Sequence, residues 1–207
     1  MSIGTKILNK IVSLAQATGG QVEGNKDVTD EMKNLARTTA EEGVVMLKND
    51  GALPLSENDV VAVFGRVQND WFYVGYGSGG DVKPPYKVNL IKGLENEGVK
   101  IDETLKKIYA DWSVKNVPYE GFWGHWPFHF DEMPLSDKVV GEAAKRANKA
   151  IVVIGRAAGE DREQKLEKGS FYLTDEEKKM LSVVTKNFKS TILIIDNGNI
   201  MDLSFID

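Results

Sequence analysis

Residues 159–163 read Gly-Glu-Asp-Arg-Glu, three carboxylates and one guanidinium behind a glycine. A carboxyl group can serve as a general acid when burial or a second carboxylate raises its pKa towards neutrality. A neighbouring arginine can hold a carboxylate or a hydroxyl in a fixed fork, which gives Arg162 a role as a clamp. Gly159 lets the backbone come close to a ligand. On residue types alone, a solvated run of surface charge accounts for the same five positions.

Other motifs offer less chemistry. Gly75, Gly77 and Gly80 spell GxGxxG, the pattern of a dinucleotide loop. That loop must leave a strand directly and open a helix. Here it stands well past the nearest apolar run and is followed by Pro84-Pro85, which oppose a helix. A turn around Tyr76, or a glycine loop lining a ligand rim, fits better. The segment 117–134 carries Tyr119, Phe122, Trp123, Trp126, Phe128 and Phe130. Such rings can wall a sugar or nucleobase site, form an interdomain contact, or plug the loop onto its own domain. His125 and His129 are the only histidines, and Pro127 between them opposes a helical metal pair. Cysteine is absent, so disulfides, thiolate catalysis and cysteine-bound metal are excluded.

Three apolar runs must position these groups: Val60 to Phe64, Ala150 to Ile154 and Thr191 to Ile195. Each is bounded by turn residues, as strands covered on both faces are. Helical spacing places helices after Thr29, over Asn89–Asn96, over Thr104–Lys115 and after Ser136. Thr174 with Glu177 forms a capping box for a further helix. Val44–Lys48 reads as another strand, Val99–Ile101 as a short one, and Ile3, Ile7, Ile11 and Leu14 as one face of an N-terminal helix. Alternating strands and helices predict an α/β fold, a three-layer sandwich around a mostly parallel sheet. Ligands of such sheets sit beyond the carboxyl ends of the strands. The rim is therefore expected at Arg66–Trp71, Arg156–Glu163 and Asp196–Asn199.

The chain carries 26 basic and 31 acidic residues, net charge −5. No basic stripe supports nucleic-acid binding. No apolar run approaches the ~20 residues of a membrane span. Lys6 and Lys10 are charged, but Asn9 and Lys10 interrupt the apolar stretch short of a signal-peptide core, so a cytoplasmic location is expected.

From about Asp30 to Asp207 the chain resembles the second domain of glycoside hydrolase family 3, the β-glucosidase-like enzymes. The resemblance rests on Ala36–Leu55 (ARTTAEEGVVMLKNDGALPL), Val60–Arg66 (VVAVFGR), Gly77–Gly79 and Ile151–Glu163 (IVVIGRAAGEDRE). Gly169–Lys178 and Ile192–Asn199 also fit. The resemblance implies an α/β sandwich beside a (β/α)8 barrel, with the active site between them. It implies that the barrel supplies an aspartate nucleophile and the sandwich the acid/base glutamate. The carry-over falls on Glu160. The family often has one or two more residues before its Asp-Arg, so Asp161 and Glu163 stand as alternatives.

The domain division that follows is an extension over 1–28 and a family domain over 29–207. That domain is expected to be incomplete at its C-terminal end and to lack its barrel, as the N-terminal piece of an enzyme with the sandwich first. The expected activity is retaining hydrolysis of a β-glucoside or oligosaccharide, with Glu160 as acid and then base. Arg66, Trp71, Arg156, Asp161 and Arg162 are the expected substrate contacts, and no metal or organic cofactor is implied. The remaining expectations are no nucleic-acid or membrane partner, and compatibility with a homo-oligomer. The rivals are a non-catalytic sugar-binding or interaction module and, more distantly, a nucleotide-binding domain.

Overall fold

The computed structural model describes residues 7, 10, 11, 27–77, 84–121, 125–160 and 163–206. The chain divides into two compact units, residues 1–51 with 83–87, and residues 52–82 with 88–207.

In the first unit, Thr29 caps helix α1 (Asp30–Gly43) by accepting from Met32 N, and Asp30 and Glu31 fit the positive end of its dipole. α1 buries none of its residues. Of the expected N-terminal helix, Ile7, Lys10 and Ile11 are described, and all are helical and exposed; Ile3 and Leu14 lie outside the described residues. The strand expected at Val44–Lys48 does not form, and Val44, Val45, Met46 and Leu47 are all exposed. β-Branched residues favour a strand only where a partner ladder and a packed face exist, and among the described residues this segment has no ladder partner.

The second unit holds the sheet. Its strands are β1 (Val60–Phe64), β2 (Lys100–Ile101), β3 (Lys149–Arg156) and β4 (Thr191–Asn197). They lie in the order β2-β1-β3-β4, and every pairing is parallel. Helices α2 (Leu90–Asn96), α3 (Glu103–Lys115), α4 (Asp137–Ala143) and α5 (Asp175–Asn187) connect or follow them. Alternation along each strand divides the apolar side chains between two faces. Ala62, Phe64, Val152 and Ile154 meet α3, α4 and α5 through Leu105, Tyr109, Val140, Met180 and Val184. Val61, Val63, Ile151 and Val153 meet α2 through Ile91. Full burial of each such side chain contributes about 1.5–3 kcal/mol, so the two layers hold the sheet between them.

The local signals act as the sequence predicts at most ends. Asn89, Asp102, Ser136 and Thr174 each cap the helix that follows. In the capping box Glu177 N donates to Thr174 Oγ1 at 3.1 Å, and Thr174 N donates to Glu177 Oε2 at 2.8 Å. β3 and β4 run two residues past the expected ends, through the pairs Gly155↔Asp196 and Arg156↔Asn197. Polar residues can continue these strands because their side chains find partners at the carboxyl edge.

Candidate active site

That edge is built from the loops after β1, β3 and β4. β1 is followed by Gly65, whose φ of 102° suits glycine and where an added Cβ would overlap the Val153 carbonyl. Gly65 N donates to Tyr109 Oη at 2.9 Å, and Arg66 N to Glu132 Oε2 at 2.7 Å. The Arg66 guanidinium turns inwards. Nε donates to Asp70 Oδ2 and Nη1 to the Asp131 carbonyl, while Nη2 donates to the Asn116 carbonyl. Its charge lies 4.8 Å from the Trp112 ring centre. Beyond it, Phe72 N donates to Asp196 Oδ2 at 3.0 Å, tying this loop to the end of β4.

β3 ends at Arg156, whose five N–H groups are all used inside the domain. Nη1 and Nη2 each donate to a Glu177 oxygen at 2.7 Å. The other donors reach the carbonyls of Ser170, Gly155 and Tyr172. Past Arg156 the chain is held by its backbone. Ala157 N donates to Phe128 O at 2.7 Å, Tyr76 N to Ala158 O at 2.7 Å, and Glu160 N to Tyr76 O at 2.9 Å. Tyr76 and Gly159 form a parallel bridge. An added Cβ at Gly77 would lie 2.6 Å from Glu160 Cβ, so glycine is what lets the Glu160 side chain lie over this turn. Glu160 is exposed.

The aromatic segment joins these loops. Trp126 stacks on Tyr76 at 5.5 Å and 3°, and Phe130 stacks on Phe72 at 4.8 Å. Lys165 Nζ sits 5.6 Å from the Phe128 ring centre. The described part of the aromatic loop therefore packs on its own domain, against the loops after β1 and β3. Phe122 and Trp123 lie outside the described residues, and Tyr119 is exposed.

Residues 44–207 match the family model described as glycosyl hydrolase family 3 C-terminal domain. The chain belongs to glycoside hydrolase family 3. It is 41% identical over 184 residues to a β-glucosidase of Ruminococcus albus, covering 87% of this chain and 19% of that protein. A solved β-glucosidase of Paenibacillus barengoltzii superposes with a TM-score of 0.83 at 38% identity, over 87% of this chain and 20% of that one. β-Glucosidase 3B of Thermotoga neapolitana, solved in complex with glucose, gives a TM-score of 0.72 at 34% identity, over 80% of this chain and 24% of that one. The chain thus spans about a fifth to a quarter of the length of these relatives.

The family 3 domain brings Arg66, Arg156, Asp196 and Glu160 to one edge of the sheet, as the strand order requires. It does not present them alike. The sequence reading gave Arg66 and Arg156 to the substrate, whereas the two residues are only 2% and 1% exposed. A strand-end side chain that turns inwards meets carboxylates and unused carbonyls, and a guanidinium satisfies several at once. Trp71 is half-buried and packs against the layer of Val61 and Val63. Asp161 and Arg162 lie outside the described residues, and Glu163 is exposed.

Glu132 did not stand out in the sequence. Its only signal was a glutamate directly after an aromatic run, FHFDE. Its carboxylate accepts from Arg66 N and Met133 N, both at 2.7 Å. The residue as a whole is part-buried, but its carboxyl end is the buried part, and burial pushes its pKa up to about 7 against those two bonds. Burial, and then the nearby Glu132, hold the Tyr109 phenol well above its ordinary range. Asp196 is likewise pushed up to about 6 by burial, against the bond from Phe72 N.

These raised carboxyl pKa values fix a pH dependence. Between the unfolded value near 4.5 and about 7, folded Glu132 keeps a proton that the unfolded chain has lost. Its contribution to stability is therefore complete below pH 4.5 and is lost as pH rises through 7. Glu132→Gln removes this titration. Denaturant titrations from pH 4.5 to 8 are expected to move in the variant's favour, relative to the parent, by about 3 kcal/mol. A difference that stays constant across the range would contradict the burial of this carboxyl.

Proposed function

We propose that this family 3 domain supplies Glu160 as the acid/base group for retaining hydrolysis of β-glucosides, and that a (β/α)8 barrel outside residues 1–207 supplies the nucleophile. The observation that carries this reading is the exposure of Glu160 on a fixed backbone, against the more buried carboxylates at the carboxyl edge. Glu132 and Glu177 are turned inwards and bonded to the domain. Glu160 is held by its backbone N–H and by close packing on Gly77, with its side chain on the exposed side. The names of the relatives, β-glucosidases of two genera, support the substrate class.

In the first step the Glu160 carboxylic acid gives its proton to the glycosidic oxygen. A barrel carboxylate about 5–5.5 Å away bonds to the anomeric carbon, and the aglycone leaves as an alcohol. In the second step the Glu160 carboxylate takes a proton from water as that water displaces the enzyme carboxylate, and the β-sugar is released. Asp161 and Arg162 adjoin Glu160 in sequence and are proposed to contact sugar hydroxyls, with Trp71 at the flank. Arg66 and Arg156 hold the rim from below.

The reading has a direct test. The isolated 207-residue chain lacks the attacking carboxylate, so it is expected to leave an aryl β-glucoside intact. A polypeptide that also carries the barrel is expected to release the β-anomer of glucose first, seen by proton NMR before mutarotation. Turnover by the isolated chain, or α-glucose as the first product, would overturn the proposal.

A further inference from the structure

Glu132 accepts from the chain after β1 and from its own next residue, and those bonds lie at one end of a brace that reaches Glu160. At its C-terminal end the segment 125–133 is tied twice to the chain just after β1. Arg66 donates both bonds, from N to Glu132 Oε2 and from Nη1 to Asp131 O, each at 2.7 Å. The second Glu132 oxygen accepts from Met133 N at 2.7 Å, which fixes the carboxylate's own direction.

Further along, the same segment holds the loop after β3. Phe128 O accepts from Ala157 N, three residues before Glu160. Trp126 stacks on Tyr76, and Tyr76 is bonded on both sides, to Ala158 O and from Glu160 N. Phe130, between these points, stacks on Phe72. A shift at Glu132 therefore reaches the Ala157–Glu160 backbone through a short, packed path.

We propose that Glu132 is a positioning residue for Glu160, acting by fixing the aromatic segment 125–133 against the end of β1. This rests on the reading of Glu160 as the acid/base group. The charged and titratable groups facing Glu132 are Arg66 after β1, Tyr109 on α3 and Glu177 on α5. Arg66 is paired with Asp70, and Glu177 with Arg156, so Glu132 works beside groups whose partners are already fixed.

The test compares poor and good leaving groups in the polypeptide that carries the barrel. A misplaced acid harms cellobiose more than a dinitrophenyl glucoside, whose leaving group needs little protonation. Glu132→Gln is expected to lower kcat/KM for cellobiose about 10- to 100-fold, the scale of an ångström-sized misplacement. For dinitrophenyl glucoside the loss is expected to stay within about threefold. In a Glu160→Gln background, adding Glu132→Gln is expected to cost less than about twofold, because two residues acting as one unit are not additive. Trp126→Leu loosens the other end of the brace and is expected to give the same leaving-group pattern, so it carries the test if Glu132→Gln fails to fold. Equal losses on both substrates, or a Glu132→Gln loss undiminished in the Glu160→Gln background, would overturn the positioning role alone. If Glu160→Gln itself shows no leaving-group dependence, the acid/base reading falls, and this inference with it.

Discussion

Glu160→Ala, made in the polypeptide that carries the barrel, is expected to lower kcat/KM for cellobiose by ~10²–10⁴-fold, the span of general acid catalysis. The effect should shrink as the leaving group becomes more acidic, because an acidic phenol departs without a proton. With a dinitrophenyl glucoside the first step survives, and the glycosyl-enzyme then waits for a base it has lost. Azide needs no deprotonation, so it should speed that breakdown and yield a β-glycosyl azide identifiable by NMR. The adjacent carboxylates decide the assignment. Asp161 and Glu163 belong to the same charged run, and their alanine variants should show neither azide rescue nor a slope against leaving-group pKa. Rescue in Glu163→Ala, with none in Glu160→Ala, would move the acid three residues on and leave the family reading intact. No leaving-group slope in any of the three variants would put the acid outside this loop.

The second large effect concerns stability. Arg156 is 1% exposed and Glu177 5%, and they share two bonds of 2.7 Å. Glu177→Ala leaves the guanidinium charge buried among carbonyls and removes half of the capping box of α5. Breaking a buried pair from one side costs about 3–5 kcal/mol. For a chain of this size each kcal/mol shifts Tm by about 2–4 °C, so a fall on the order of 10 °C is expected. Urea denaturation of the 207-residue chain would measure it. The double variant Arg156→Met/Glu177→Leu buries no charge and is expected to recover more than half of the loss. A single variant within about 1 kcal/mol of the parent would show that water reaches the guanidinium, contrary to the packing described.

The sequence was informative where a local rule and the tertiary structure agree. The runs at 60–64, 150–154 and 191–195 are strands because β-branched side chains find apolar cover on the sheet. The caps at Asn89, Ser136 and Thr174 work within a few residues of chain and need no distant partner. Val44–Lys48 misled because apolar β-branched composition predicts a strand only if a neighbouring strand is present. Arg156 is a ladder residue on the face of Val152 and Ile154, so its inward direction follows from alternation once β3 is known to run past Ile154. The direction of Arg66 was not legible, because it lies beyond the last residue of β1 and its guanidinium is turned by carbonyls far along the chain, at positions 116 and 131. Glu132 was hidden for the same reason, since its partner Arg66 N is 66 residues away. The segment 159–163 drew attention through its charge density and its likeness to family 3, while its contact with the glycine loop at 75–77 was visible only in the fold.

The hydrogen bonds that hold Glu160 in place run from main chain to main chain: Ala157 N to Phe128 O, Tyr76 N to Ala158 O, and Glu160 N to Tyr76 O. Gly77 and Gly159 complete this frame by omission, since a Cβ at either would strike Glu160 or Tyr76. Because peptide groups and glycines carry this part of the support, exposed rim side chains outside the brace of Glu132, Trp126 and Phe130 are free to change. Lineages that adapt this domain to another sugar can substitute the residues that face the substrate without rebuilding the support, so the price of a new specificity falls on recognition alone and not on folding. Such a rim can diversify while the Glu160 backbone stays at the same address.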